Sequence, residues 1–146
     1  MAEARIFGDR LEHVHYHVRK GAYAVSINDG MVAAVKTPTG YFLPGGGLEG
    51  TETLENCLKR EVLGETGHHI RILLFIGRAQ KYFYSTTFHD YMASDGFFYI
   101  AEIVGGHHSV CEKDHELVWI SRKDIPQVLL PEHQAWAAEE TFRLLE

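Results

Sequence analysis

The chain is short of cysteine, of positive charge and of long apolar runs. Its 146 residues hold two cysteines, Cys57 and Cys111, and no CxxC pair. A disulfide framework and a zinc ribbon are therefore excluded as sources of stability. Lys and Arg number 14 against 20 Asp and Glu, a net charge of −6. That balance argues against a nucleic-acid polymer as partner, because such binding rests on a basic footprint. No apolar stretch is long enough to cross a bilayer. The opening residues MAEARIFGDR lack the apolar segment of a signal peptide. A reduced, cytoplasmic setting without a membrane partner is the resulting expectation. Linkers, repeats and low-complexity tracts are missing too, so residues 1–146 are expected to form a single domain with a sizeable core. A small phosphorylated ligand stays open, since a metal can supply the local positive charge.

What is present alternates between extended and helical patterns. Residues 11–19, LEHVHYHVR, alternate strictly and predict a strand with Val14, Tyr16 and Val18 buried and His13, His15 and His17 on the other face. Residues 21–27 predict a second strand, Asn28-Asp29-Gly30 a hairpin turn, and MVAAVKT a returning third strand. After a turn at Pro38-Thr39-Gly40, Tyr41 to Leu43 are extended and Pro44 opens a glycine loop. A helix is predicted from about Thr53 to Thr66, with Thr53 as N-cap, Glu55 at the positive end, Leu54, Cys57, Leu58 and Val62 as the apolar face, and Gly67 ending it. Extended segments follow at 70–74, 78–84, 96–104 and 116–121, with a long polar loop at 85–95 and loop residues at His68-His69 and His107-His108. A short helical turn at 121–128 precedes a terminal amphipathic helix over 131–146, with Trp136, Phe142 and Leu145 inward. Strands around two main helices imply an α/β protein with a mixed sheet.

The chemistry concentrates in GGLEGTETLENCLKREVLGETGH, residues 46–68. Glu61 and Glu65 are four apart, hence stacked on one helical face. Two such carboxylates repel unless a cation or a proton lies between them. A glycine loop can turn backbone carbonyls toward the same place, because glycine tolerates unusual φ and ψ. Mg²⁺ suits this set: it binds through a few carboxylates, waters and substrate phosphate oxygens.

The spacing Gly46, five residues, Glu52, seven residues, Arg60-Glu61-Val62, then Glu65 and Gly67 resembles the Nudix box, G-x5-E-x7-R-E-U-x-E-E-x-G-U, at seven of its nine defined positions. Gly64 departs where a Glu is expected, and His68 where an aliphatic is expected. The resemblance implies an α/β/α sandwich with a mixed sheet and Mg²⁺-dependent hydrolysis, Mn²⁺ substituting, of a nucleoside diphosphate linked to another group. It implies Glu61 and Glu65 as metal ligands, either doubling as base, and Gly45 as a carbonyl ligand. It pairs Arg60 with Glu52, locking the loop to the helix and orienting Glu61. A small nucleotide is the implied partner, and a homodimer is possible, with the alternating N-terminal strand taking part.

Gly64 leaves three readings: an active enzyme that recruits a carboxylate from elsewhere, a weak one, or a nucleotide-binding domain without turnover. Glu112 is the first candidate for the missing carboxylate, ahead of Glu116 and Asp114, all in the loop before the strand carrying Trp119. Otherwise that charge run is a solvated loop. Gly46, Phe88 and Tyr91 are the candidate substrate contacts, the last two, with His89, on the long loop as a lid. The aromatic runs at 81–84 and 96–99 are core by default, although one face of them can wall a nucleotide pocket. Three histidines on a strand, spaced roughly 6.5 Å apart, do not converge on one ion.

Overall fold

The computed structural model describes residues 3–106 and 112–146. His107, His108 and Cys111 lie outside them. The elements in chain order are β1 (Ala4–Phe7), β2 (His17–Val25), β3 (Ile27–Asn28), β4 (Met31–Thr37), β5 (Gly40–Phe42), β6 (Gly45–Gly47), α1 (Leu54–Thr66), β7 (His68–Ser85), β8 (Asp90–Gly106), β9 (Glu116–Ser121), α2 (Ile125–Val128) and α3 (Glu132–Leu144), with a 3₁₀ turn at Arg122–Asp124 leading into α2.

One sheet runs β1-β7-β8-β2-β6. It is mixed: β1 with β7 and β2 with β8 are parallel, while β7 with β8 and β2 with β6 are antiparallel. The second sheet has β4 at its centre, paired with β3, β5 and β9. Alternation in β2 sorts its side chains into two cores. Ala22 and Ala24 join Cys57, Leu58 and Val62 of α1 with Ile70, Tyr99 and Ala101. Val25, with Tyr23 beside it, joins Phe98, Leu43 and the inner faces of β4, α2 and α3. The small Ala22 and Ala24 let α1 lie close to the sheet. The result is the α/β/α arrangement expected from the sequence.

Helix α1 follows its local signals. The Thr53 hydroxyl accepts from the Asn56 N–H at 3.1 Å, Glu55 lies in the first turn, and Gly67 takes φ 74° with its N–H on the Leu63 carbonyl. The hairpin at 28–30 also forms as read, with Asp29 and Gly30 both left-handed.

Four expectations are corrected. Residues 11–16 are not a strand: His13 sits at φ 62°, and Val18 is 62% exposed. The ladder that holds β2 pairs His17 with Met92, and β8 begins at Asp90, so residues 11–16 have no partner strand among the described residues. Of the N-terminal strand offered for a homodimer, only His17, Val18 and Arg19 are extended, as the start of β2. The long loop at 85–95 shrinks to residues 86–89, because β7 and β8 pair as far as Ser85 and Asp90. Buried Asp95 made the run look like loop, yet Arg78 neutralises it with two bonds of 2.8 and 2.9 Å. Segments 70–74 and 78–84, together with His68 and His69, are one strand kept continuous by three register shifts. Leu145 is 60% exposed; His133, Gln134, Ala137, Ala138, Thr141 and Phe142 form the buried side of α3.

Candidate active site

The glycine strand β6 lies along α1, and the box side chains fill the seam between them. Arg60 makes a two-pronged contact with Glu52, Nε at 3.1 Å and Nη2 at 2.6 Å. The same guanidinium donates to Glu61 at 2.8 Å and to the Gly47 carbonyl at 3.1 Å. One side chain therefore ties the loop, the strand and a candidate catalytic carboxylate together. Its hydrogen bonds hold the Glu52 carboxyl down at about 2. They also raise the Arg60 pKa further.

Glycine is required at two points of this seam. Gly45 sits at φ 144°, and a Cβ there would stand 2.2 Å from the Ala22 carbonyl oxygen. At Gly46 a Cβ would stand 2.5 Å from Glu61 Oε2. The box glycine thus leaves the room that the Glu61 carboxylate occupies.

Glu65, one turn on, accepts the Gly45 N–H at 2.8 Å. Burial pushes its pKa up to about 8, and the Glu61 and Glu112 charges push the same way against that hydrogen bond. Glu112 reaches the site from the loop before β9. Its N–H donates to the Gly64 carbonyl at 2.9 Å. That carbonyl is one of the last four of α1, which have no partner within the helix. Its carboxylate oxygen Oε1 then lies 3.7 Å from where a Gly64 Cβ would be. So a carboxylate does stand beside the box position that lacks one. Asp114 is a left-handed turn residue at φ 64°, and Glu116 is exposed on β9 opposite Lys36.

A depression of about 370 Å³ opens here, lined by Tyr23, Thr37, Pro38, Thr39, Phe42, Leu43, Gly45, Gly46, Glu65, His115 and Gln134. His115 was not singled out from the sequence. Its Nε2 lies 3.4 Å from Glu112, and it is held through Nδ1 to the Lys113 carbonyl at 3.0 Å. Only the path of the loop over α1 brings it in. Neither Phe88 nor Tyr91 lines this depression. Phe88 is 63% exposed in the 86–89 turn, and Tyr91 packs edge-on against Tyr84 and Tyr16. His17 pairs with Asp90 at 2.7 Å, also apart from the seam.

A second chamber of about 390 Å³ shares Tyr23, Phe42 and Gln134 with the first and adds Lys81, Phe83, Ser94, Pro131 and His133. His133 is 4% exposed, and neither of its ring nitrogens has a hydrogen-bond partner among the described residues. An unmatched buried polar group costs about 1–3 kcal/mol.

The donor set fits a hard divalent cation in its chemistry: oxygen ligands, a carboxyl whose proton is held by burial and by neighbouring negative charge, and a further carboxylate beside Gly64. Among the described residues no three acidic, histidine or cysteine side chains are already gathered into a metal-binding group. Arg60 engages Glu61 and the Gly45 N–H engages Glu65, so the carboxylates rest on protein partners. Cys57, buried under β6, has its thiol pKa pushed up to about 11 by burial and donates to the Gly46 carbonyl at 3.4 Å.

The NUDIX domain model matches residues 17–144. The fold is similar to a NUDIX hydrolase from Nitrosomonas europaea, with TM-score 0.73 and 18% identity over 87% of this chain and 90% of that one. It is similar to a MutT NUDIX hydrolase from Burkholderia pseudomallei, with TM-score 0.64 and 24% identity over 85% and 98%. An ADP-ribose pyrophosphatase from Streptococcus suis aligns with TM-score 0.66 and 13% identity over 88% and 92%. None of the curated proteins compared matches the sequence. With its box on α1 and the family model spanning most of its length, the chain belongs to the Nudix family.

Proposed function

We propose that the chain hydrolyses the diphosphate linkage of a nucleotide derivative in the seam between α1 and β6, with Mg²⁺ or Mn²⁺ as cofactor. The observation that supports this most strongly is the Glu52–Arg60–Glu61 clamp set against Glu65 and Glu112. The seam is acidic and the substrate is an anion, so a cation is needed for the two to meet. Glu61, Glu65, Glu112 and the Gly45 carbonyl are the groups to hold it. When bound, it neutralises diphosphate charge and acidifies a water. The residues do the rest. Arg60, kept charged, fixes Glu61 toward β6, and Glu52 anchors Arg60. Glu61 or Glu65 takes the proton from the water that attacks phosphorus. The leaving phosphate or nucleotide departs along the depression. Nucleoside triphosphates, dinucleoside polyphosphates and nucleotide sugars all present the required linkage.

One observation favours a second reading, a nucleotide-binding domain without turnover. Gly64 removes a box carboxylate, and the remaining ones are occupied by Arg60 and Gly45. A screen for phosphate or pyrophosphate release over these three substrate groups, with Mg²⁺ and Mn²⁺, separates the two. Turnover that Glu61→Gln lowers by about 100-fold or more is the expected result. Tight nucleotide binding with no turnover under either metal establishes the second reading instead.

A further inference from the structure

Strand β7 carries three consecutive apolar side chains that the fold leaves in solvent. Leu73 and Leu74 are each 55% exposed, and Phe75 is 40% exposed. Alternation along a regular strand would turn the middle one away from its neighbours, toward the opposite face. Register shifts between Ile72 and Leu74 and between Phe75 and Gly77 break that alternation around the triplet. Such a run on a surface is a liability unless something covers it.

The backbone is open at the same place. β1 pairs with β7 only from Arg78 to Lys81, and among the described residues no strand lies along residues 70–74 on the side away from β8. Apolar surface continues on both faces of this edge. On one face Leu73 borders a hollow of about 560 Å³ with Ile27, Ile100, Trp119 and Leu145. On the other, Phe75 packs against Phe97 and Tyr99 at ring-centroid distances of 6.4 and 5.2 Å. The rim is charged in both signs. Glu55 and Lys59 stand one turn apart on α1, and Arg71 bonds Glu102 at 2.6 Å. This balance sits on a chain whose net charge is −6, so the patch does not share the repulsion of the whole.

We propose that a second copy of this chain covers the patch, the two β7 edges pairing antiparallel about a two-fold axis near Leu74. Two identical strand edges laid antiparallel are related by a two-fold rotation, so the contact closes as a dimer. The same rotation sets the acidic groups of one rim against the basic groups of the other. A charged peptide would find no net charge here to bind. Leu73, Leu74, Phe75, Trp119 and Leu145 are each between 39% and 60% exposed. Together they offer roughly 400–500 Å² of apolar surface, taking a large side chain at about 150–250 Å² in full. A standard interface draws about 800 Å² from each partner, somewhat over half of it apolar, so the patch supplies the apolar share.

Sedimentation velocity of the full chain from about 1 to 100 µM tests the proposal. The wild-type chain should reach twice its monomer mass at the upper end. Leu74→Glu and Leu74→Lys each bring like charges together at the axis and should weaken the dimer by about 100-fold or more, with Tm kept. Mixing the two variants in equal amounts should restore it, because a residue at a two-fold axis meets its own copy. Val18→Glu, at a position 62% exposed on β2, should change nothing. If the charge variants do not fold, hydrogen exchange of the wild-type chain decides. The amides of residues 71–75 should then exchange more slowly at about 100 µM than at about 1 µM. A wild-type chain that stays monomeric over the whole range overturns the proposal and leaves the patch to a different partner. A dimer that survives both charge variants, or exchange at 71–75 that ignores concentration, places the interface elsewhere and overturns it as well. A mixture of the two variants that stays monomeric overturns the two-fold pairing at Leu74.

Discussion

Glu65 stands far from its ordinary chemistry. Its carboxyl is raised from 4.5 to about 8 by burial and by Glu61 and Glu112. The folded state then holds a proton that the unfolded state gives up at ordinary pH. The contribution of this group to stability is therefore full below about pH 4.5 and declines as pH rises toward 8. Glu52 runs the other way: held at about 2 by Arg60, its smaller, solvent-screened contribution is present above 4.5 and lost toward pH 2. Urea unfolding of the metal-free chain between about pH 5 and 8 should show the first effect, and Glu65→Gln should flatten it. A stability that climbs with pH across this window would refute the assignment. Gly64 makes a separate prediction. A Cβ there meets Glu112 at an ordinary 3.7 Å, so Gly64→Ala has room. The substitution should stabilise α1 by about 1 kcal/mol, in urea unfolding, with activity retained. A loss of activity would mean that the open space itself is used.

At the level of elements, the seam depends on a helix and a loop docking end to end. The Glu112 N–H caps a carbonyl near the C-terminal end of α1, and the same residue carries its carboxylate to the face where the box lacks one. The sequence reading ranks Glu112 first among the three acidic residues of this loop, ahead of Glu116 and Asp114. The fold separates them: Glu112 faces Gly64 and Glu65, Asp114 turns the chain, and Glu116 points outward from β9. Steady-state kinetics should thus rank them. Glu112→Gln should lower activity by about 10-fold or more, while Asp114→Asn and Glu116→Gln remain near wild type. Equal effects from all three would return the loop to a solvated charge run. The elements also explain the misread segments. The alternation at 11–16 looks like a strand by pattern, yet the pairing partner ends at Asp90. The 90–95 run looks like loop because Asp95 is charged, yet Arg78 makes its burial tolerable.

Across the molecule, two cores lie on opposite faces of one mixed sheet, and the candidate active-site seam is the edge where β6 meets α1. The whole chain is anionic, so the divalent cation of the proposed reaction would relieve repulsion at the seam as well as join ligands. Millimolar Mg²⁺ or Mn²⁺ should raise Tm by binding the folded state alone, more strongly at pH 8 than at pH 6 because the Glu65 proton must leave. Glu61→Gln combined with Glu65→Gln should abolish the shift. Persistence of the full shift in that variant would place the cation elsewhere. Among the described residues no helix is long and apolar enough to cross a membrane, in keeping with the composition.

The sequence alone settled the family, helix α1 with its caps, the 28–30 hairpin and the Glu52–Arg60 pairing. The helix caps and the hairpin depend on residues close in the chain, whose local backbone preferences act before any long-range contact forms, while the family and the Glu52–Arg60 pairing follow from the resemblance to the Nudix box. Tertiary structure alone decided that Glu112, ranked first from the sequence, stands beside Gly64, that His115 borders the depression, that Phe88 and Tyr91 lie away from it, and that His133 is buried with no hydrogen-bond partner among the described residues beside a second chamber. Each of those depends on two segments meeting from distant parts of the chain: α1 with the loop before β9, and β5, β7 and β8 with the start of α3. Their meeting is set by how the two cores pack against the sheet, which no local spacing records.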